Sequence, residues 1–79
     1  MTTTTTTYCK QLIRDGEIAT GMYTSSDDAA TPEIARALAV PREFGRKSGD
    51  AVAIVRVDSR LGSDGDYHVT RRTIVELLA

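Results

Sequence analysis

Cys9 and His68 are the chain's one thiol and one imidazole. A thiolate or nucleophilic pair would need them within hydrogen-bond reach, with a third group orienting the ring. Nothing in the sequence brings them together, so Cys9 reads as a small strand residue and His68 as a surface side chain. One histidine and one cysteine cannot complete a four-ligand zinc site. The stretch from Asp58 to Asp66 lacks the ligand spacing and the closing Glu of a calcium loop. Asp27 with Asp28, and Asp64 with Asp66, are the acid pairs available for proton transfer. Both sit in turn-prone stretches, and solvated turn carboxylates near a helix start are the simpler reading for Asp27 and Asp28. Gly62-Ser63-Asp64-Gly65 is not followed by a clear helix, as a phosphate cradle requires. The inventory therefore predicts no enzyme, no metal and no cofactor, and a protein that acts through the shape and charge of its surface.

The charges are balanced. Ten basic and eleven acidic residues give −1 overall, which provides no net attraction for nucleic acid or an anionic membrane. Arg42, Arg46 and Lys47 surround Phe44, and Arg56, Arg60, Arg71 and Arg72 form a second basic group. A two-stranded ribbon carrying the second group would fit a DNA major groove. Glu43, Asp50, Asp58, Asp64 and Asp66 interleave with these groups, however, and predict a salt-bridged solvent face, so direct nucleic-acid binding is not expected. The longest apolar run, Ala51 to Val55, is far below the roughly 20 residues that cross a bilayer. A single cysteine, with no basic and apolar leader before it, predicts a cytoplasmic protein.

Short elements must carry these residues. At 79 residues there is room for one domain with a thin core, so marginal stability or help from a partner subunit follows. Met1 to Thr4 read as a flexible leader, and Thr5 to Thr7 lead into a strand through Ile13. Asp15-Gly16 supplies the positive φ angles of a tight hairpin to a second strand over Glu17 to Tyr23, with Ile18 and Met22 turned inward. Thr31 caps a helix starting at Pro32, whose apolar stripe is Ile34, Ala35 and Leu38 and which ends before Pro41. Pro41 to Gly45 predicts a further helical turn with Phe44 inward. Ala51 to Val57, apolar on both faces, predicts the central strand. If Asp64-Gly65 is a two-residue turn, Ser63 faces Asp66, Val55 pairs with Ile74 and Asp58 with Arg71. The C-terminal stretch reads as a strand, with a short helix capped by Thr70 as the alternative. The expected fold is a small single α+β domain over residues 1–79, an antiparallel sheet of about four strands in two hairpins with one helix packed on it.

Two resemblances add to this reading. Thr31-Pro32-Glu33-Ile34-Ala35-Arg36-Ala37-Leu38, followed by Gly49-Asp50-Ala51-Val52, resembles the core motif of swapped-hairpin antitoxins and transition-state regulators. It lacks their N-terminal strand with its Lys-Gly-Gln turn and has a longer gap before Gly49. That resemblance implies a small dimeric DNA-binding regulator, the second functional expectation. In size, organisation and composition the whole chain is similar to small phage-encoded anti-CRISPR proteins, and among them to inhibitors of type I effector complexes, type I-C included. The implied function is non-enzymatic: binding a subunit of the surveillance complex in the bacterial cytoplasm, as a monomer or small homo-oligomer, and blocking target DNA. The DNA path of such a complex is basic, so carboxylates are the expected contacts. The candidates are Asp27, Asp28 and Glu33 near the helix start and Asp58, Asp64 and Asp66 in the second hairpin, with Tyr67, Arg71 and Arg72 as interface anchors.

Overall fold

A computed structural model describes residues 3–19, 24–39 and 49–78. The elements are β1 (Thr4–Arg14), β2 (Glu17–Ile18), α1 (Pro32–Ala37), β3 (Ala51–Leu61) and β4 (Tyr67–Leu77). The strands form one antiparallel sheet in the order β2-β1-β3-β4, with α1 packed on it. This is the predicted α+β architecture of two hairpins and one helix.

The first hairpin turns at Asp15-Gly16, with φ of 54° and 79°, and pairs Arg14 with Glu17. Both angles are those a type I′ turn demands. β2 is short, and beyond it Ala19 N donates to Leu12 O. The predicted inward Met22 lies outside the described residues, as does the helical turn around Phe44. The polar stretch Thr24 to Ala29 satisfies the outer edge of β1 next to β2. Leu12 N donates to Thr24 O, Ser26 N to Lys10 O, and Tyr8 and Ala29 exchange both bonds.

β3 is interior, as its two-sided apolar pattern requires, and β1 lies along it from Thr4 opposite Arg60 to Ile13 opposite Ala51. Alternation divides the core into two faces. On one, Ile54 packs with Ala29 and Ala35. On the other, Cys9, Ile13, Ala53, Val55 and Val57 cluster, with Ile18 against them. Leu12, Ala19 and Val52 form a third group.

α1 is six residues long, too short to be stable alone. Thr31 Oγ1 accepts from Ile34 N at 3.2 Å, and Pro32 needs no N–H partner in the first turn. Only part of the predicted stripe is inward: Ala35 is fully buried and Leu38 half-buried, while Ile34 is exposed. A one-and-a-half-turn helix presents too narrow an arc to seat both Ile34 and Ala35.

The second hairpin departs from the two-residue turn. Gly62 N donates to Asp66 O and Gly65 N to Gly62 O, so Ser63, Asp64 and Gly65 form a three-residue loop closed by Gly65 at φ 84°. This slips the register by one, and Ser59 faces Val69. An irregularity that leaves Thr70 without a register partner restores it, so Asp58 faces Arg71 and Val55 faces Ile74 as predicted. A second irregularity leaves Val75 without a register partner and shifts the pairing by one residue again, so Ile54 faces Glu76 and Ala53 faces Leu77. The C-terminus is thus strand, not helix. All eleven residues of β4 are exposed.

Candidate functional site

A cleft of about 430 Å³ opens on the sheet face away from α1. Its floor comes from Cys9, Gln11 and Val57; Ile18 and Asp28 line one side and Tyr67 and Arg72 the other. The structure therefore brings Asp28, Tyr67 and Arg72 of the predicted set to one place. They meet because β4 continues the sheet on one side of β3 while Thr24 to Ala29 follows β1 on the other.

Chemistry in the cleft is limited by the state of its thiol. Burial raises the Cys9 pKa, Asp28 raises it further, and Arg72 partly opposes both. The thiol stays protonated at neutral pH, and Sγ lies 3.9 Å from Gln11 Oε1. Cys9 stands opposite Val55 and His68 opposite Arg60, positions of opposite parity on β3, so the two side chains lie on opposite faces of the sheet. No Cys–His pair forms. We expect Cys9 to react with an aromatic disulfide reagent far more slowly in the folded chain than in denaturant. Equal rates in the two conditions would contradict the burial.

The hairpin tip is built around Asp64. Its Oδ1 accepts from Asp66 N at 3.1 Å, and His68 Nε2 lies 2.9 Å from Oδ2. These contacts, the backbone bond first, lower the Asp64 pKa. Gly62 leaves the room: a Cβ there would stand 2.7 Å from Asp64 Oδ1 and 2.8 Å from the His68 ring. Asp64 and Asp66 are both exposed, so the tip presents two carboxylates, of which Asp64 is held by the Asp66 backbone N–H and His68. Asp58, by contrast, belongs to the sheet. Its Oδ1 accepts from Thr6 Oγ1 at 2.8 Å and from Arg56 Nε at 3.1 Å, and its pKa is lowered mainly by the Thr6 bond.

Both acids are less readily protonated folded than unfolded, so their contribution is present above the ordinary aspartate range near about pH 4 and is lost as pH falls through their lowered values. We expect the unfolding midpoint to drop with acid in that window, and the drop to shrink in an Asp58→Asn, Asp64→Asn chain. An unchanged slope would refute the assignment.

Asp27 and Glu33 are exposed near the helix start and do not line the cleft. Arg71 faces Asp58 across the strands. Two further polar features escape sequence reasoning. Lys10 is buried and its Nζ donates to Arg36 O at 2.8 Å and Leu38 O at 2.7 Å, and Arg36 pairs with Glu76. Alternation could have placed Lys10 on the helix-bearing face, but not the carbonyls it meets.

Among the described residues no group of three or more His, Cys, Asp or Glu is placed to hold a metal ion, and no helix is long and apolar enough to cross a membrane. No known protein family matches the chain, and no curated protein or solved structure matches it significantly.

Proposed function

We propose that this chain is a non-enzymatic inhibitor that binds a type I CRISPR effector complex and blocks target DNA. One observation carries the reading. The β3–β4 hairpin ends in two exposed carboxylates, Asp64 and Asp66, with Asp64 held ionised by the loop backbone and His68. Exposed acids on a hairpin tip, one of them held in place, suit a basic nucleic-acid channel, where complementary charge speeds encounter and sets register. Asp27, Asp28 and Glu33 add exposed negative charge at the helix start. Asp58 is assigned to sheet stability instead, because Thr6 and Arg56 already occupy it.

The purified chain should form a complex with a type I surveillance complex at micromolar concentration when no DNA is present, and prior loading of target DNA should reduce that binding. No complex across the common type I systems would eliminate the proposal. The alternative, a dimeric DNA-binding regulator, would need free arginines on the ribbon. Arg56 pairs with Asp58 and Arg71 stands opposite it, which leaves Arg60 and Arg72 as the arginines of this group with neither an ion pair nor an acid opposite among the described residues. A duplex shift that declines steeply with salt would favour that alternative.

A further inference from the structure

Every residue of β4 is exposed, and the strand is a sheet edge eleven residues long. Long open edges template pairing with another chain unless they are blunted. This one is partly blunted, by irregularities at Thr70 and Val75 and by the charges of Arg71, Arg72 and Glu76, yet it also carries apolar side chains at Tyr67, Val69, Ile74, Val75 and Leu77, with Leu77 65% and Tyr67 51% exposed.

The direction of each backbone group follows from the ladder. Leu78 N donates to Val52 O, and Leu61 N donates to Thr3 O. Even-numbered residues of β3 therefore turn their N–H and C=O toward β4, and odd-numbered ones toward β1. On β4 the partners of the even residues are His68, Arg71, Thr73 and Glu76, and these bond to β3. The partners of the odd residues, Tyr67, Val69, Arg72, Ile74 and Leu77, direct their N–H and C=O to the open edge. Those five side chains share the cleft face, while the other four share the face that carries α1.

Measured by their β3 partners, the five outward residues are evenly spaced and Arg72 is the midpoint: they stand opposite Leu61, Ser59, Val57, Val55 and Ala53. A two-fold axis through Arg72, perpendicular to the sheet, consequently sets outward groups against outward groups along the strand. It pairs Tyr67 with Leu77 of the second copy and Val69 with Ile74, apolar against apolar on the cleft face. On the other face it sets His68 against Glu76 and Arg71 against Thr73. The bulges at Thr70 and Val75 take up the extra residues without changing face parity.

We propose that β4 is a homodimer interface, in which two copies pair antiparallel through this edge about Arg72 and form one continuous eight-stranded sheet. The occupant is a second copy because the edge is complementary to itself in backbone direction, face and side-chain type. A self-complementary patch is what two-fold association requires. The one like-charge contact falls on the axis, where Arg72 meets Arg72. Each Arg72 lines its own cleft together with Asp28, which moderates this repulsion without removing it. The thin core of a 79-residue chain gains from such burial. This pairing is independent of the inhibitor reading, since it is a property of the chain alone and leaves Asp64 and Asp66 at the outer tips.

Sedimentation equilibrium of the purified 79-residue chain tests it, with far-UV circular dichroism to verify folding. The chain should sediment at twice its 8.6 kDa mass, with a concentration-dependent transition. Val69→Lys and Ile74→Lys, each at an exposed site, should weaken association at least tenfold and leave the spectrum unchanged. Arg72→Thr, which removes the repulsion at the axis, should tighten it severalfold. A chain that stays monomeric at millimolar concentration overturns the proposal. So does a dimer indifferent to the lysine variants, or one that Arg72→Thr fails to tighten, since a dimer built on another surface or register would behave in these ways.

Discussion

Ile54→Ala is expected to remove a large fraction of the chain's stability at room temperature. Ile54 is fully buried between β1 and β4 on the face where Ala29 and Ala35 pack. Removing a buried isoleucine side chain costs about 2–5 kcal/mol, more when the surroundings cannot collapse into the void. A strand clamped on both sides has little freedom to collapse. Total stability at roughly 0.05–0.15 kcal/mol per residue is about 4–12 kcal/mol for this length, so the lower end leaves almost nothing. The melting temperature should fall by at least about 8 °C. Urea titration gives the free energy directly, and a loss below about 1 kcal/mol, outside the range for this kind of deletion, would show that Ile54 is not the centre of the core.

Lys10→Met should be nearly as damaging, through polar groups. The ammonium of Lys10 reaches from β1 to the last carbonyls of α1, at 2.7 and 2.8 Å, where a cation also complements the helix dipole. Methionine keeps most of the stem's packing volume but leaves those carbonyls without their donor. Two lost charge-assisted bonds at about 1.5–3 kcal/mol each, offset in part because methionine escapes the desolvation cost of a buried ammonium, predict a net cost of about 2–4 kcal/mol. The effect should be local first: α1, six residues long, depends on this anchor and on Ala35, so its amides should exchange faster than those of β3. Uniform acceleration across the chain would mean that Lys10 supports the whole domain rather than the helix.

The contrast between these residues explains what sequence reading reached. Asp15-Gly16 specified its turn because positive φ at consecutive positions admits few residue types, and Thr31-Pro32 specified a helix start for similarly local reasons. Ile54 was legible as core because β3 is apolar on both faces. Lys10 was not, because a lysine within a strand is ordinarily solvated and its partners lie 26 and 28 residues away in sequence. The second turn was half legible. Gly65 marked it correctly, but the choice between two and three loop residues depends on strand twist, and the compensating bulge at Thr70 has no side-chain signature. Nor did the polar stretch from Thr24 to Asp28 announce that its backbone lines β1, since hydrogen bonding by main-chain groups leaves no trace in residue type. The cleft was missed for the same reason: it exists only once β1, β3 and β4 are set side by side. Of the predicted contact residues, those at the hairpin tip were the most readable, since Asp64 and Asp66 flank a glycine that forces the chain to turn there.

That tip carries the proposed function, and competition against target DNA measures its role most directly. A type I surveillance complex incubated with this chain should lose binding to its DNA target, whereas an Asp64→Lys, Asp66→Lys chain, folded by circular dichroism, should leave target binding at least tenfold less inhibited. If the charge-reversed chain blocks DNA as well as the original, or if neither chain blocks it, the hairpin carboxylates are not the surface through which this protein acts.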